Sequence, residues 1–165
     1  MSILDRLLLD PSVRAALEPL VSRVAAHMLA TPDAPLAWES VPLKIYGNKL
    51  PDFIRSSWVF ILRGGQASGA ERHPNSHQRV ASYRGDGDLQ IQVGGVWQSH
   101  RLSDDTALPI ERRWASIPHN VWHQAVVAGN DWVVVSFHSV EDFELIEERP
   151  NEARVDSTAR RKYLR

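Results

Sequence analysis

With 165 residues, the chain is long enough for one well-buried core and too short for two. A formal net charge of −1 at 24% charged residues leaves no basic surface of the kind that sequence-independent nucleic-acid binding needs. The absence of cysteine excludes disulfides, thiolate metal sites and cysteine nucleophiles, and is compatible with a reducing compartment.

At the N-terminus, "ILDRLLLD" is interrupted by charge, so neither a membrane-spanning helix nor a secretory signal is expected and the protein is expected to be cytoplasmic. In "DPSVRAALEPLVSRVAAHMLA", Asp10 can cap and Pro11 can take the first helical position. Val13, Leu17, Leu20, Val21, Val24 and Met28 recur at helical spacing, and Pro19 is expected to kink or divide the helix. From Trp38 the pattern changes to β-branched and aromatic runs: "WVFIL", "RVASYRG", "DLQIQVGGVWQ", "WASIP", "HQAVV" and "WVVVSFHSV". Gly, Asn, Asp and Pro clusters separate them, which predicts an all-β core, closed or sandwiched. Trp58, Trp97, Trp114, Trp122 and Trp132 are expected mostly in that core, with Trp122 able to face a pocket edge. The expected division is a helical segment over 1–37, a barrel over 38–148 and a loose tail over 149–165, whose basic end could dock on a partner.

The chemistry concentrates in "GAERHPNSHQ". Glu71 and His73 are two apart, so on a strand both side chains face the same way, which in a small barrel can be inward. A third ligand must come from another strand, and His123, following a proline-containing turn, is the natural choice. Two histidines and one carboxylate on one side of a metal is the arrangement associated with non-haem Fe(II) oxygenases, leaving the opposite side open. The plainer alternative is a surface glutamate and a hydrogen-bonded strand histidine. His77 could join as a further ligand or bond within its loop, and His138 could serve the site or be an ordinary inward histidine.

The spacing of Gly65, Glu71, His73, Gln78 and Gly85 resembles the first cupin motif, which usually carries His, His and Glu at the three polar positions. Pro118, Asn120 and His123 resemble the second motif, where Pro, Gly and His are usual, while Arg112 and Val127 depart at its outer positions. The likeness spans roughly residues 43 to 143 and implies a jelly-roll cupin β-barrel preceded by α-helices. Within that superfamily, "WVFILRGGQASGAERHPNSHQ" resembles the cysteine dioxygenase type I (thiol dioxygenase) family with a changed ligand set. "VSFHSV" is similar to the segment in which that family sets Ser-x-His-x-Tyr beside the iron, which places Ser136 and His138 on the first two members and Val140 on the third. "YGNKL" resembles the family's Tyr-x-Arg-Asn-Leu segment.

The resemblance implies a dioxygenase with Glu71, His73 and His123 as metal ligands and Ser136 and His138 as catalytic groups. Tyr46, Asn48, Lys49, His77 and Gln78 are the implied substrate-binding residues. The metal implied is Fe(II), with Mn, Ni and Zn as alternatives; the partners are a small-molecule substrate and O2, with no nucleic acid and no membrane, and a homodimer is an open option. The departures argue against free cysteine as substrate. Glu71 adds a negative charge to a site that is otherwise three neutral histidines. Asn48 replaces the carboxylate-gripping arginine, and neighbouring Lys49 cannot reproduce a bidentate clamp. Two other outcomes fit the same motifs: a cupin that binds metal or a small molecule without turnover, and a metal-dependent isomerase or hydrolase.

Overall fold

In the computed structural model, which describes residues 2–150 and the backbone of 158–162, the N-terminal segment forms two helices, α1 (Ser2–Leu9) and α2 (Pro11–Ala30). Asp10 caps α2, its Oδ1 accepting from the Ser12 backbone N–H at 2.9 Å, and Pro11 opens the helix. The helix runs unbroken through Pro19, where a break is expected from sequence. A proline inside a helix costs about 3 kcal/mol, whereas each large apolar side chain buried returns roughly 1.5–3 kcal/mol. Val13, Leu17, Leu20, Val21, Val24 and Met28 are all buried on one side of α2, so packing outweighs the lost backbone bond.

One sheet holds β1 (Leu36–Ser40), β2 (Ser56–Leu62), β3 (Gln78–Arg84), β6 (Trp114–Ile117) and β8 (Trp132–His138) in the order β1-β2-β8-β3-β6. A second holds β4 (Asp86–Val93), β5 (Val96–Ser103) and β7 (His123–Val126) in the order β5-β4-β7. The run "DLQIQVGGVWQ" is a hairpin rather than one strand: Gly94 and Gly95 both have positive φ, the backbone that a two-residue turn of matching twist requires.

Alternation along β8 divides the core in two. Val133, Val135 and Phe137 face the helices, together with Val59, Ile61 and Tyr83. Trp132 and Val134 face inward, packing with Leu62, Val80, Leu89 and Ile91 between the sheets. Of the tryptophans expected in the core, Trp58, Trp114 and Trp132 are buried, but Trp97 is exposed on β5.

A further strand, β9 (Ile146–Pro150), pairs antiparallel with β10 (Thr158–Lys162). Residues 149, 150 and 158–162 are therefore strand where a loose tail is expected; the rest of that segment lies outside the described residues. No helix among the described residues is long and apolar enough to cross a membrane.

Candidate metal centre

Residues 71–73 are held between β7 and β9. Glu71 and His123 exchange both backbone hydrogen bonds, at 2.9 and 2.8 Å, and Arg72 and Glu148 exchange both of theirs on the opposite side, at 3.0 and 2.9 Å. The segment is a pair of isolated bridges rather than the full strand expected. The His73 carbonyl accepts from the Asn120 N–H at 2.9 Å. Asn120 has φ +61°, a left-handed backbone that glycine adopts freely and asparagine tolerates, and this turn delivers His123 into β7.

Glu71, His73 and His123 each offer a ligand atom within 4.8 Å of the others. The Nδ1 of His73 lies 3.0 Å from the Ile146 carbonyl and that of His123 3.1 Å from the Val121 carbonyl. A carbonyl only accepts, so each Nδ1 carries the proton and each Nε2 keeps its lone pair. His123 Nε2 sits 3.5 Å from Glu71 Oε1, is buried, and has no hydrogen-bond partner among the described residues. Such an orphaned polar atom costs about 1–3 kcal/mol, and a cation held among the three groups would remove that cost. Neutral imidazole nitrogens and a carboxylate suit Fe(II), Mn, Ni or Zn.

Burial alone would raise the Glu71 carboxyl; a proton on His123, then on His73, and the Arg149 guanidinium act the other way and hold it below the usual carboxylate range. Burial lowers His73 and, more strongly, His138, so both rings stay neutral into mildly acidic conditions. Glu71 is presented by one oxygen because the other is tied down: Arg149 Nη2 donates to Oε2 at 2.7 Å, while Arg149 Nε reaches Glu147 Oε1 at 2.6 Å and Nη1 the Ser68 carbonyl at 3.1 Å. No motif flags Arg149 or Glu147; their only trace in the sequence is an acidic and basic cluster at the start of the expected tail.

The other expected site residues separate into two groups. Gln78 and Ser136 line a cavity that opens from the triad between the sheets. His138 lies behind them, its ring centre 5.2 Å from that of His73. Ser76 Oγ donates to the His77 carbonyl, so at 3.3 Å from His138 Nδ1 it accepts from that ring. His138 Nε2, 3.3 Å from Ser136 Oγ, is then left to accept the Ser136 hydroxyl. Ser136, not His138, faces the cavity, and His138 holds it in place.

Tyr46, Asn48, Lys49 and His77 lie elsewhere. Tyr46 is buried on the helix-facing side of the first sheet, its hydroxyl 2.8 Å from Ser57 Oγ and its ring beside Phe137. Asn48 is exposed, and Lys49, also exposed, reaches Asp10 Oδ2 at 3.4 Å. His77 stacks on the exposed His119, ring centres 3.8 Å apart, at the surface. The first three share a physical reason: apolar Leu43, Ile45 and Leu50 pack onto the helix-side core, carrying the whole 43–50 segment away from the cavity.

The cavity encloses about 450 Å³ not filled by atoms, part of it open to solvent. Its walls are mostly apolar, including Phe60, Leu62, Val80 and Trp132, and no lysine or arginine is among its lining residues.

No family model matches the chain, and none of the curated proteins does. Among solved structures, it is similar to an oxalate oxidase in complex with the substrate analogue glycolate, with TM-score 0.52 and 12% identity over 67% of this chain and 53% of that one. It is also similar to the capsular polysaccharide assembling protein CapF from Staphylococcus aureus, with TM-score 0.51 and 18% identity over 66% of this chain and 27% of that one. The chain therefore spans about half the length of the oxalate oxidase and about a quarter of CapF. At these identities the likeness establishes the fold: a jelly-roll cupin fold with N-terminal helices.

Proposed function

We propose that the chain is a non-haem, Fe(II)-dependent dioxygenase that oxidises a small molecule other than free cysteine at Glu71, His73 and His123. The observation that carries this is the convergence of two Nε2-presenting histidines and one carboxylate beside an open, largely apolar cavity. When bound, Fe(II) would supply a redox-active Lewis acid at which O2 and substrate can react. The chain itself does the rest. Ile146 and Val121 carbonyls fix the ring orientation of the two ligand histidines, and Arg149 restricts Glu71 to one presented oxygen. Apolar walls line the approach, while Ser136, its proton donated to His138, offers its hydroxyl oxygen as an acceptor to whatever occupies the cavity.

The closer likeness to the thiol dioxygenase branch rests on "ERHPNSHQ" and Ser136-x-His138. The same geometry speaks against cysteine as substrate: a zwitterionic amino acid with a thiolate would enter beside Glu71 with no cationic side chain in the cavity lining, and Lys49 is engaged with Asp10.

The test is O2 consumption by Fe(II)-loaded protein with L-cysteine, 3-mercaptopropionate, cysteamine and a panel of small phenols and diketones. Uptake with a phenol or diketone, little with cysteine and no change in Lys49→Ala is the expected result. Efficient cysteine oxidation lost in Lys49→Ala would overturn the substrate assignment. Metal retention with no uptake on any substrate would favour a binding cupin, and turnover indifferent to oxygen would favour an isomerase or hydrolase.

A further inference from the structure

Besides His123 Nε2, which the proposed metal would take, Gln78 is a polar group in this cavity whose chemistry is unspent. It projects from the first residue of β3, is 6% exposed, and lines the same cavity as Glu71, His123 and Ser136. Its Oε1 is buried and has no hydrogen-bond partner among the described residues. A buried carbonyl without a partner is costly, and one that lines a cavity can be completed by a ligand's donor. The cavity that Gln78 helps to line is also walled by Phe60, Leu62, Val80, Leu89, Trp132 and Val134.

These features define complementary chemistry. The walls favour an apolar body. The bare carbonyl asks for a hydroxyl or N–H donor. The lack of lysine or arginine in the lining penalises an anion that must shed its water to enter the metal-free cavity. We propose that the cavity binds an uncharged small molecule with an apolar body and one hydrogen-bond donor, the donor meeting Gln78 Oε1. This deepens the proposed function by naming the substrate class, and takes from it only the location of the metal ligands at the polar end of the cavity.

Phenol, toluene and benzoate share a ring and differ in one group: a neutral donor, no polar group, and an anion. The experiment is calorimetric titration of the full chain with each, once loaded with redox-inert Zn(II) and once stripped of metal. Phenol is expected to bind about tenfold or more tightly than toluene in both forms, the worth of one hydrogen bond completed in a dry site, and tighter than benzoate in the metal-free form. In Gln78→Met, which keeps the side-chain length and removes the amide, phenol and toluene should converge.

Benzoate binding the metal-free chain as tightly as phenol does, no binding by any of the three, or a phenol preference that survives in Gln78→Met would each overturn the proposal. A preference present only with Zn(II) would assign the hydroxyl to the metal and overturn it as well. Should Gln78→Met fail to fold, the order of the three probes on the wild-type chain decides alone. If that order holds while no phenol supports O2 consumption, the dioxygenase assignment fails and the ligand class stands.

Discussion

A ligand's job can be separated from a core residue's job at the level of single side chains. His73 and His123 present Nε2 to one another's neighbourhood and use only Nδ1 to hold the fold. His123→Ala is therefore expected to abolish metal retention while the metal-free protein stays folded, checked by metal analysis and circular dichroism; wild-type metal content in the variant would remove His123 from the site. Arg149 acts one step further out. Arg149→Gln frees Glu71 Oε2 from its partner and is expected to weaken metal affinity by about 10–100-fold, measured by chelator competition, with partial recovery in Arg149→Lys. The convergence of Glu71, His73 and His123 is legible in the sequence because a candidate metal site constrains residue type and spacing together, as Glu71-x-His73 does. Arg149 was not, because any basic residue in reach would serve and its partner strand looked like tail. Tyr46, Asn48 and Lys49 were misplaced from sequence because a short linear likeness carries no information about which face of a sheet it packs against.

The elements show the same division between patterned and unpatterned segments. Strands β2 and β8 can be read from β-branched and aromatic runs because nearly every residue in them is buried on one face or the other, and β3 because its Val80 and Tyr83 are buried. Strand β9 could not: "IEERP" reads as surface, yet Glu147 and Glu148 are buried, paired with Arg149 and Arg72. Buried ion pairs erase the hydrophobic alternation that identifies a strand. Between the sheets, β4 passes so close to Trp132 that a Cβ on Gly87 would overlap its ring. Gly87→Ala is expected to cost roughly 1–3 kcal/mol through overpacking, seen as a melting temperature lower by several degrees. An unchanged melting temperature would mean that Trp132 has another place to go.

For the molecule as a whole, the buried site ties stability to pH. His73 and His138 have folded-state pKa values below the ordinary 6.5, so below that pH the unfolded chain binds more protons than the folded one. The stability of the metal-free protein should be full above about pH 6.5 and fall as pH drops through it, with Glu71 adding a further loss below its ordinary 4.5. Denaturant melts at pH 8, 6.5 and 5.5 check this; equal stability at all three would show that the rings are not buried neutral. A bound metal requires the same neutral rings and adds stability that grows with its free concentration. The measurement that bears most directly on the metal-dependent assignment is elemental analysis of the full chain, expressed and purified with no metal added. The account predicts close to one iron per chain in the wild type and none in a folded His73→Ala. A folded wild-type chain that carries no divalent metal and takes up none when Fe(II), Mn(II), Ni(II) and Zn(II) are offered would contradict it.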